Sequence, residues 1–307
     1  MYFSGFADEA GNSIDVQIKA TLELGWQNIE SRSIDGVNLT DLSDEQFEVV
    51  CQKLDAANGS ANHIVRINCF GSAIANWSTD PRNDKDYQTS LAALRRAIPR
   101  MQRLGTRYLR GMSFGIVRDA VPDSPEIEKL VIEKVKTMVA LCEQAGVYYL
   151  HENCMNYGGL SYEHTLRLLE GIRSPYFRLV FDTGNPVGSD CRIGKPPYAK
   201  QSSWEFYSKV RDFIEYVHIK DCIFIAETGQ IFPKLEHTFP GEGHGDVRRI
   251  VADLLHRGYD GGFSIEPHLA VVYHDDSQRL PDQIRYENYI EYGQRFMQMV
   301  AEVHREA

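Results

Sequence analysis

Residues 146–185 read GVYYLHENCMNYGGLSYEHTLRLLEGIRSPYFRLVFDTGN, and this stretch sets the fold. Val147–Glu152 is an apolar, aromatic run of strand length. A polar loop follows it, then an amphipathic helical stretch, Tyr162–Ile172, and a second apolar run, Phe177–Asp182. Both runs end on polar residues, His151-Glu152-Asn153 in one and Asp182 in the other. The stretch is therefore a strand–helix–strand unit with chemistry at the ends of its strands.

The same unit repeats in both directions. Upstream, strands are predicted at Tyr2–Ala7, Trp26–Ser31, His63–Cys69 and Arg107–Gly111. Helices alternate with them at Ser13–Leu24, Leu42–Ala57, Asp84–Leu104 and Pro125–Ala145. Ser13 and Ser43 are candidate N-caps, Pro99 is a candidate kink, and Gly146 ends the fourth helix. Downstream come a helix Ser203–Arg211, a strand Phe213–Lys220, a helix Asp246–Arg257, a strand Gly262–Glu266 and a helix Pro281–His304. Strict alternation implies a parallel sheet, and eight units imply an α/β fold closed as a (β/α)8 TIM barrel, one domain over residues 1–307. The alternative, a doubly wound open sheet, usually stops at about five to seven strands. Two connections are long, Gly71–Asp84 and Asp221–Gly245. The second contains CIFIAETGQIFPKLEH, whose apolar halves flank Thr228-Gly229 like a hairpin. Loops of this kind after barrel strands cover active sites.

Composition narrows the class of partner. The 307 residues carry 43 acidic and 33 basic side chains, a formal net charge of −10, which disfavours nucleic acid and anionic membrane surfaces. That average leaves room for a phosphorylated small substrate, which a single Lys or Arg can hold. The opening MYFSGFADEAGNSID lacks the basic and apolar regions of a secretory signal, and no run of about 18 apolar residues is present. Six scattered cysteines without a CxxC pair read as reduced thiols. The expectation is a cytoplasmic protein acting on a small molecule.

Barrel enzymes keep their chemistry at the carboxyl ends of the strands. Here the fifth strand ends in His151-Glu152-Asn153 and the sixth in Asp182. The seventh ends in His218, Lys220 and Asp221, and the eighth in Glu266 and His268. A charge stranded there costs about 3–5 kcal/mol, so four consecutive strand ends need compensation. Salt bridges from Lys220, Arg110 or Arg178 would serve one acid at a time. One divalent cation on Glu152, Asp182, His218 and Glu266 would serve all four, and three carboxylates with one imidazole suit Mn²⁺ or Mg²⁺, with Co²⁺, Fe²⁺ or Zn²⁺ also admissible.

Other positions carry weaker expectations. Glu30 and Arg32 either hold substrate hydroxyls or pair with each other, and Asn68 and Arg110, at the ends of strands three and four, make a rim salt bridge or hydrogen bond in preference to a substrate contact. Asn185 is placed to donate to a substrate oxygen, whereas Asp8 and Glu9 read as solvated loop acids. GEGHGD, residues 241–246, has the glycines of an anion-cradling turn, although Glu242 opposes an anion. His63, His164, His256 and His304 read as surface or packing residues.

Together, HEN, FDTGN, HIKD and SIEPH resemble the xylose-isomerase-like barrel superfamily of sugar isomerases and epimerases, over essentially the whole chain. The resemblance implies that Glu152, Asp182, His218 and Glu266 bind the metal and that Glu152 and Glu266 are the catalytic acid/base pair. Free-ketose 3-epimerases of the superfamily carry a further Glu, His and Arg where this chain has Gly158, Asn185 and Phe224, so the resemblance is not to a standard member of that group. Endonuclease IV, which shares the fold, needs a His where Asn185 stands. The implied activity is a metal-dependent isomerisation or epimerisation of a small sugar or sugar derivative through a metal-stabilised enediolate. Glu30, Arg32, Asn185, Lys220 and His268 are the candidate substrate-binding residues. A lyase or dehydratase on a keto-inositol or keto-glycoside uses the same site, and a non-catalytic sugar-binding barrel is the third reading. The resemblance also admits a homo-oligomer.

Overall fold

The computed structural model describes residues 1–59, 64–229, 233–270 and 280–306; His63 lies outside them. Eight parallel strands form the wall of a nearly closed TIM barrel: β1 (Tyr2–Gly5), β2 (Asn28–Ser31), β3 (Arg66–Gly71), β4 (Tyr108–Gly111), β5 (Tyr148–Glu152), β6 (Phe177–Asp182), β7 (Ile214–Ile219) and β8 (Gly262–Ile265). Each is laddered to its neighbour in the order β1-β8-β7-β6-β5-β4-β3-β2. The last gap, between β1 and β2, is spanned by an isolated bridge, Phe6 to Glu30, and by Asn28 Nδ2 donating to the Phe3 carbonyl at 3.2 Å.

The helices between strands are α1 (Ile14–Glu23), α2 (Asp44–Asn58), α3 (Asp84–Leu104), α4 (Pro125–Ala145), α5 (Tyr162–Ile172), α6 (Ser203–Val210), α7 (Val247–His256) and α8 (Asp282–Glu306). Their ends follow from local chemistry. Ser13 accepts from the Val16 amide, and Ser43 forms a full capping box with Gln46. Gly146 closes α4 in the left-handed region at φ 70°. Helix α3 runs through Pro99 without a break. No helix among the described residues is long and apolar enough to cross a membrane.

Strand residues alternate between barrel interior and helix layer. Outward side chains such as Tyr149, Phe181, Val217 and Phe263 join the main core under the helices. Inward ones form a separate small core of Cys69, Leu150, Val180 and Tyr216. Below it, the rings of Tyr2, Tyr108, Tyr148 and Tyr216 plug the barrel floor, with centroids 5.8–6.3 Å apart in successive pairs. Above them, Ser4 Oγ donates to Asn68 Oδ1 (2.9 Å) and Asn68 Nδ2 donates to Tyr216 Oη (3.2 Å). Asn68 therefore lies inside the barrel, not at its rim as the sequence suggested. A register shift opposite Ile29/Glu30 makes Asn68 the extra residue of a bulge, so that it and Cys69 both turn inward. The long Asp221–Gly245 connection holds the expected hairpin, Asp221–Ala226 against Lys234–Thr238; residues 230–232 lie outside the description.

Candidate active site and metal centre

The period-two alternation that puts Tyr216 in the floor puts His218 one layer higher and Lys220 at the mouth. The same count brings Glu152, Asp182 and Glu266 inward from the ends of β5, β6 and β8. One ligand atom from each of Glu152, Asp182, His218 and Glu266 lies within 4.8 Å of the others, and all four residues are buried. His151 falls on the opposite face. It packs on Phe177 in the helix layer and meets Ser113 Oγ at 2.9 Å, and burial depresses its imidazole to about 4, so it is neutral.

Each member of the cluster is fixed by neighbours. Asp182 Oδ1 accepts the amides of Gly184 (2.8 Å) and Asn185 (2.6 Å), while the Asn153 side chain clasps the Asp182 backbone through two hydrogen bonds. Glu152 faces Arg110 (3.3 Å) and His218 Nδ1 (3.1 Å). Glu266 is gripped by Arg32 at 2.8 Å and by Lys220 at 2.9 Å. Lys220 Nζ also lies 2.9 Å from Asp182 Oδ2. The Phe6 ring lies under both guanidiniums, 4.4 Å from Arg32 and 5.1 Å from Arg110, and edge-on to His218.

Charge sets the protonation states. Burial alone would raise the Glu152 carboxyl, but Arg110 and His218 outweigh it and hold it below the carboxylate range. Glu266 is held well below that range, because Lys220, His268 and Arg32 reverse the effect of burial. Asp182 goes the other way: burial raises it, and Lys220 offsets this only in part. Burial would lower His218, yet the flanking Glu30 and Glu152 carry it up to about 10.

Several sequence expectations change here. Asp8 and Glu9 are not solvated loop acids: they are 2% and 3% exposed. Both bind the Arg32 guanidinium, and Glu9 also accepts from the His268 amide at 2.8 Å. Their burial depends on partners from β2 and β8, which no local pattern reveals. Glu30 and Arg32 do not pair with each other, since Glu30 faces His218 and Arg32 faces the acids. Arg178 pairs with Glu215 rather than with the cluster. The glycines of GEGHGD do cradle an anion, but it is the protein's own. Gly241, Gly243 and Gly245 donate their amides to the Asp221 carboxylate at 2.8–3.0 Å.

The donor set suits a divalent cation. Three carboxylates and an imidazole converge, and Asp182 Oδ2 is a fully buried oxygen with no hydrogen bond of proper geometry, although Lys220 is near. Six buried carboxylates (Asp8, Glu9, Glu30, Glu152, Asp182, Glu266) face Arg32, Arg110, Lys220 and His218, an imbalance that a divalent ion reduces.

A barrel with a buried carboxylate–imidazole cluster at the carboxyl ends of its strands is the architecture of metal-dependent barrel enzymes. Residues 18–287 match the family described as Xylose isomerase-like TIM barrel, and the chain belongs to that family. Solved structures agree on the fold. A D-tagatose 3-epimerase-like protein is 17% identical, with TM-score 0.71, covering 100% of this chain and 99% of that one. The IOLI protein, solved with a zinc atom, is 15% identical, with TM-score 0.69 and 99% of each chain covered. A xylose isomerase-like TIM barrel protein from Mycobacterium smegmatis, in complex with magnesium, is 17% identical, with TM-score 0.66, covering 98% of this chain and 97% of that one. No curated protein matches the chain by sequence. Structures of the same fold include a D-allulose 3-epimerase from Methylomonas sp. and a probable 3-DHS dehydratase from Bacillus anthracis.

Proposed function

We propose that this protein is a divalent-metal-dependent isomerase or epimerase of a small sugar or sugar derivative. The observation that carries the reading is the convergence of Glu152, Asp182, His218 and Glu266 within 4.8 Å at the mouth of the barrel. A divalent cation held by these four residues supplies a Lewis acid that polarises a substrate carbonyl. The residues themselves do the rest. Glu152 and Glu266 are both held ionised by their cationic neighbours, so either carboxylate can take a proton from the carbon beside that carbonyl. The other carboxylate takes up a proton from solvent and delivers it to the substrate, and the first then releases the abstracted proton to solvent, which restores both to the ionised state. Delivery to the same carbon epimerises it, and delivery to its neighbour isomerises the sugar. Asp182 and His218 hold the cation and exchange no proton. Lys220, Arg32 and His268 stand around Glu266 as donors for substrate oxygens. Asn185 Nδ2, buried and without a partner, is a further donor.

The grip on substrate differs from that of a free-ketose 3-epimerase. A side chain at Gly158 would run into the His151 ring and Leu168, so no glutamate fits there. Phe224 lies on the hairpin beneath the Lys200 ammonium, 4.8 Å from it. A derivative of a sugar, rather than a standard ketose, fits these replacements.

Metal content of purified protein, together with exchange of carbon-bound hydrogen in D₂O over a panel of keto-sugars and keto-glycosides, tests the reading. A single divalent ion per chain is expected, lost in Glu152→Gln and His218→Ala. Deuterium should enter the substrate with wild type, and Glu266→Gln should slow this at least ~100-fold. Full activity of Glu266→Gln would refute the acid/base assignment. Release of water or an aglycone would replace isomerisation by elimination at the same site.

A further inference from the structure

His218 is held at both ring nitrogens. Nδ1 faces the metal cluster, 3.1 Å from Glu152 Oε1 and 4.0 Å from Asp182 Oδ2. Nε2 points away from the cluster, toward β2, where both oxygens of Glu30 lie 3.0 and 3.1 Å from it. Glu30 is 0% exposed. Among the described residues its contacts within hydrogen-bond or ion-pair distance are His218 and the Cys69 thiol, which donates to Oε1 at 3.5 Å. Among the described residues no arginine or lysine lies within ion-pair distance of it. A carboxyl group buried this deeply needs hydrogen-bond partners for its oxygens. Here one partner is the Nε2–H of the imidazole. The two residues come from β2 and β7, three places apart around the barrel wall, and a bulge beside Glu30 shapes the local register.

We propose that Glu30 is a positioning residue for His218, its carboxylate fixing the proton on Nε2 so that the Nδ1 lone pair is aimed at the cation held with Glu152, Asp182 and Glu266. The inference rests on His218 being a ligand, as in the function proposed above, and gives Glu30 a task other than substrate contact. A carboxylate behind a ligating imidazole fixes the tautomer and ring angle and raises the ligand's basicity. Truncation of such a group weakens metal binding without removing any ligand.

Mn²⁺ titration of wild type, Glu30→Gln, Glu30→Ala and His218→Ala tests this, alongside long-range ¹H–¹⁵N correlation spectra of the His218 ring in Zn²⁺-loaded protein. Wild type should show a protonated Nε2 and a metal-bound Nδ1. Glu30→Ala should bind Mn²⁺ ~10- to 100-fold more weakly. Glu30→Gln, whose amide oxygen still accepts from Nε2–H and whose shape guards the fold, should recover part of that loss. His218→Ala should bind still more weakly than either. Wild-type affinity in Glu30→Ala, or a ring protonated at Nδ1 and metal-bound at Nε2, would overturn the proposal alone. Absence of Mn²⁺ binding in wild type would overturn it together with the metal centre. Loss of affinity in Glu30→Ala without any deuterium exchange into sugars would support it while sinking the proposed reaction.

Discussion

Asp221 shows how one side chain can organise a loop. It is buried at the end of β7, and its carboxylate accepts four backbone amides, those of Cys222, Gly241, Gly243 and Gly245. The glycines serve close approach as well, since a Cβ at Gly243 would collide with the Asp221 carboxylate and lie 2.7 Å from the Cys222 amide nitrogen. Asp221→Ala leaves those donors without an acceptor and is expected to cost on the order of 3 kcal/mol, read as a lower urea midpoint with an unchanged slope. The same residue shows what a sequence reveals at this scale. GEGHGD announces an anion-binding turn, but not that the anion is 20 residues upstream. Glu152, Asp182, His218 and Glu266 were legible because each follows an apolar strand with the parity that turns it inward. Asp8 and Glu9 were not, and Glu30 was legible as a strand-end residue but not as a partner of His218, because these contacts with Arg32, His268 and His218 exist only once the barrel has closed.

Among the elements, α4, α5 and β6 have the ends that capping and turn residues predict, whereas β1 stops early. Its chain leaves the ladder after Gly5 to form the turn Ala7–Glu9, which carries two acids inward. A small hairpin, Ser33–Ile34 against Val37–Asn38, was overlooked although Asp35-Gly36 is a strong signal for it, both residues having positive φ. Helix α5 carries a titratable group in its first turn. His164 is buried, its Nδ1 is 2.7 Å from Ser161 Oγ, and burial lowers its affinity for a proton. A lowered folded-state value means the unfolded chain binds the proton more tightly. The contribution of His164 is therefore complete above its unfolded value near 6.5 and is lost as pH falls through the folded value. Urea midpoints at about pH 7.5 and about pH 5 should fall less in His164→Gln than in wild type. Equal falls would assign the acid sensitivity to other groups.

Seen whole, the molecule is a stack of layers on the barrel axis: a tyrosine floor, the Ser4–Asn68–Tyr216 hydrogen bonds, the Glu30–His218 pair, then the acidic mouth. Eight strand–helix units made the wall legible, because alternation is a local property repeated along the chain. Where the wall fails to close is a global property, and no residue near β1 or β2 announces it. That gap has a kinetic consequence. Where every other pair of neighbours has a backbone ladder, β1 and β2 have one bridge and are otherwise held by side chains, Asn28 within the strands and Arg32 and Ser33 on Asp8 beyond their ends, so the barrel should breathe there first. Backbone amides of β1 and β2 should exchange with deuterated solvent sooner than those of β5 to β7, as read by peptide-resolved mass spectrometry. Glu30 is itself the β2 residue of the bridge across that gap, and His218 holds it from β7. A cation that draws His218 into place should therefore slow exchange in β2 and turn the loosest wall of the barrel into a gauge of whether the centre is filled.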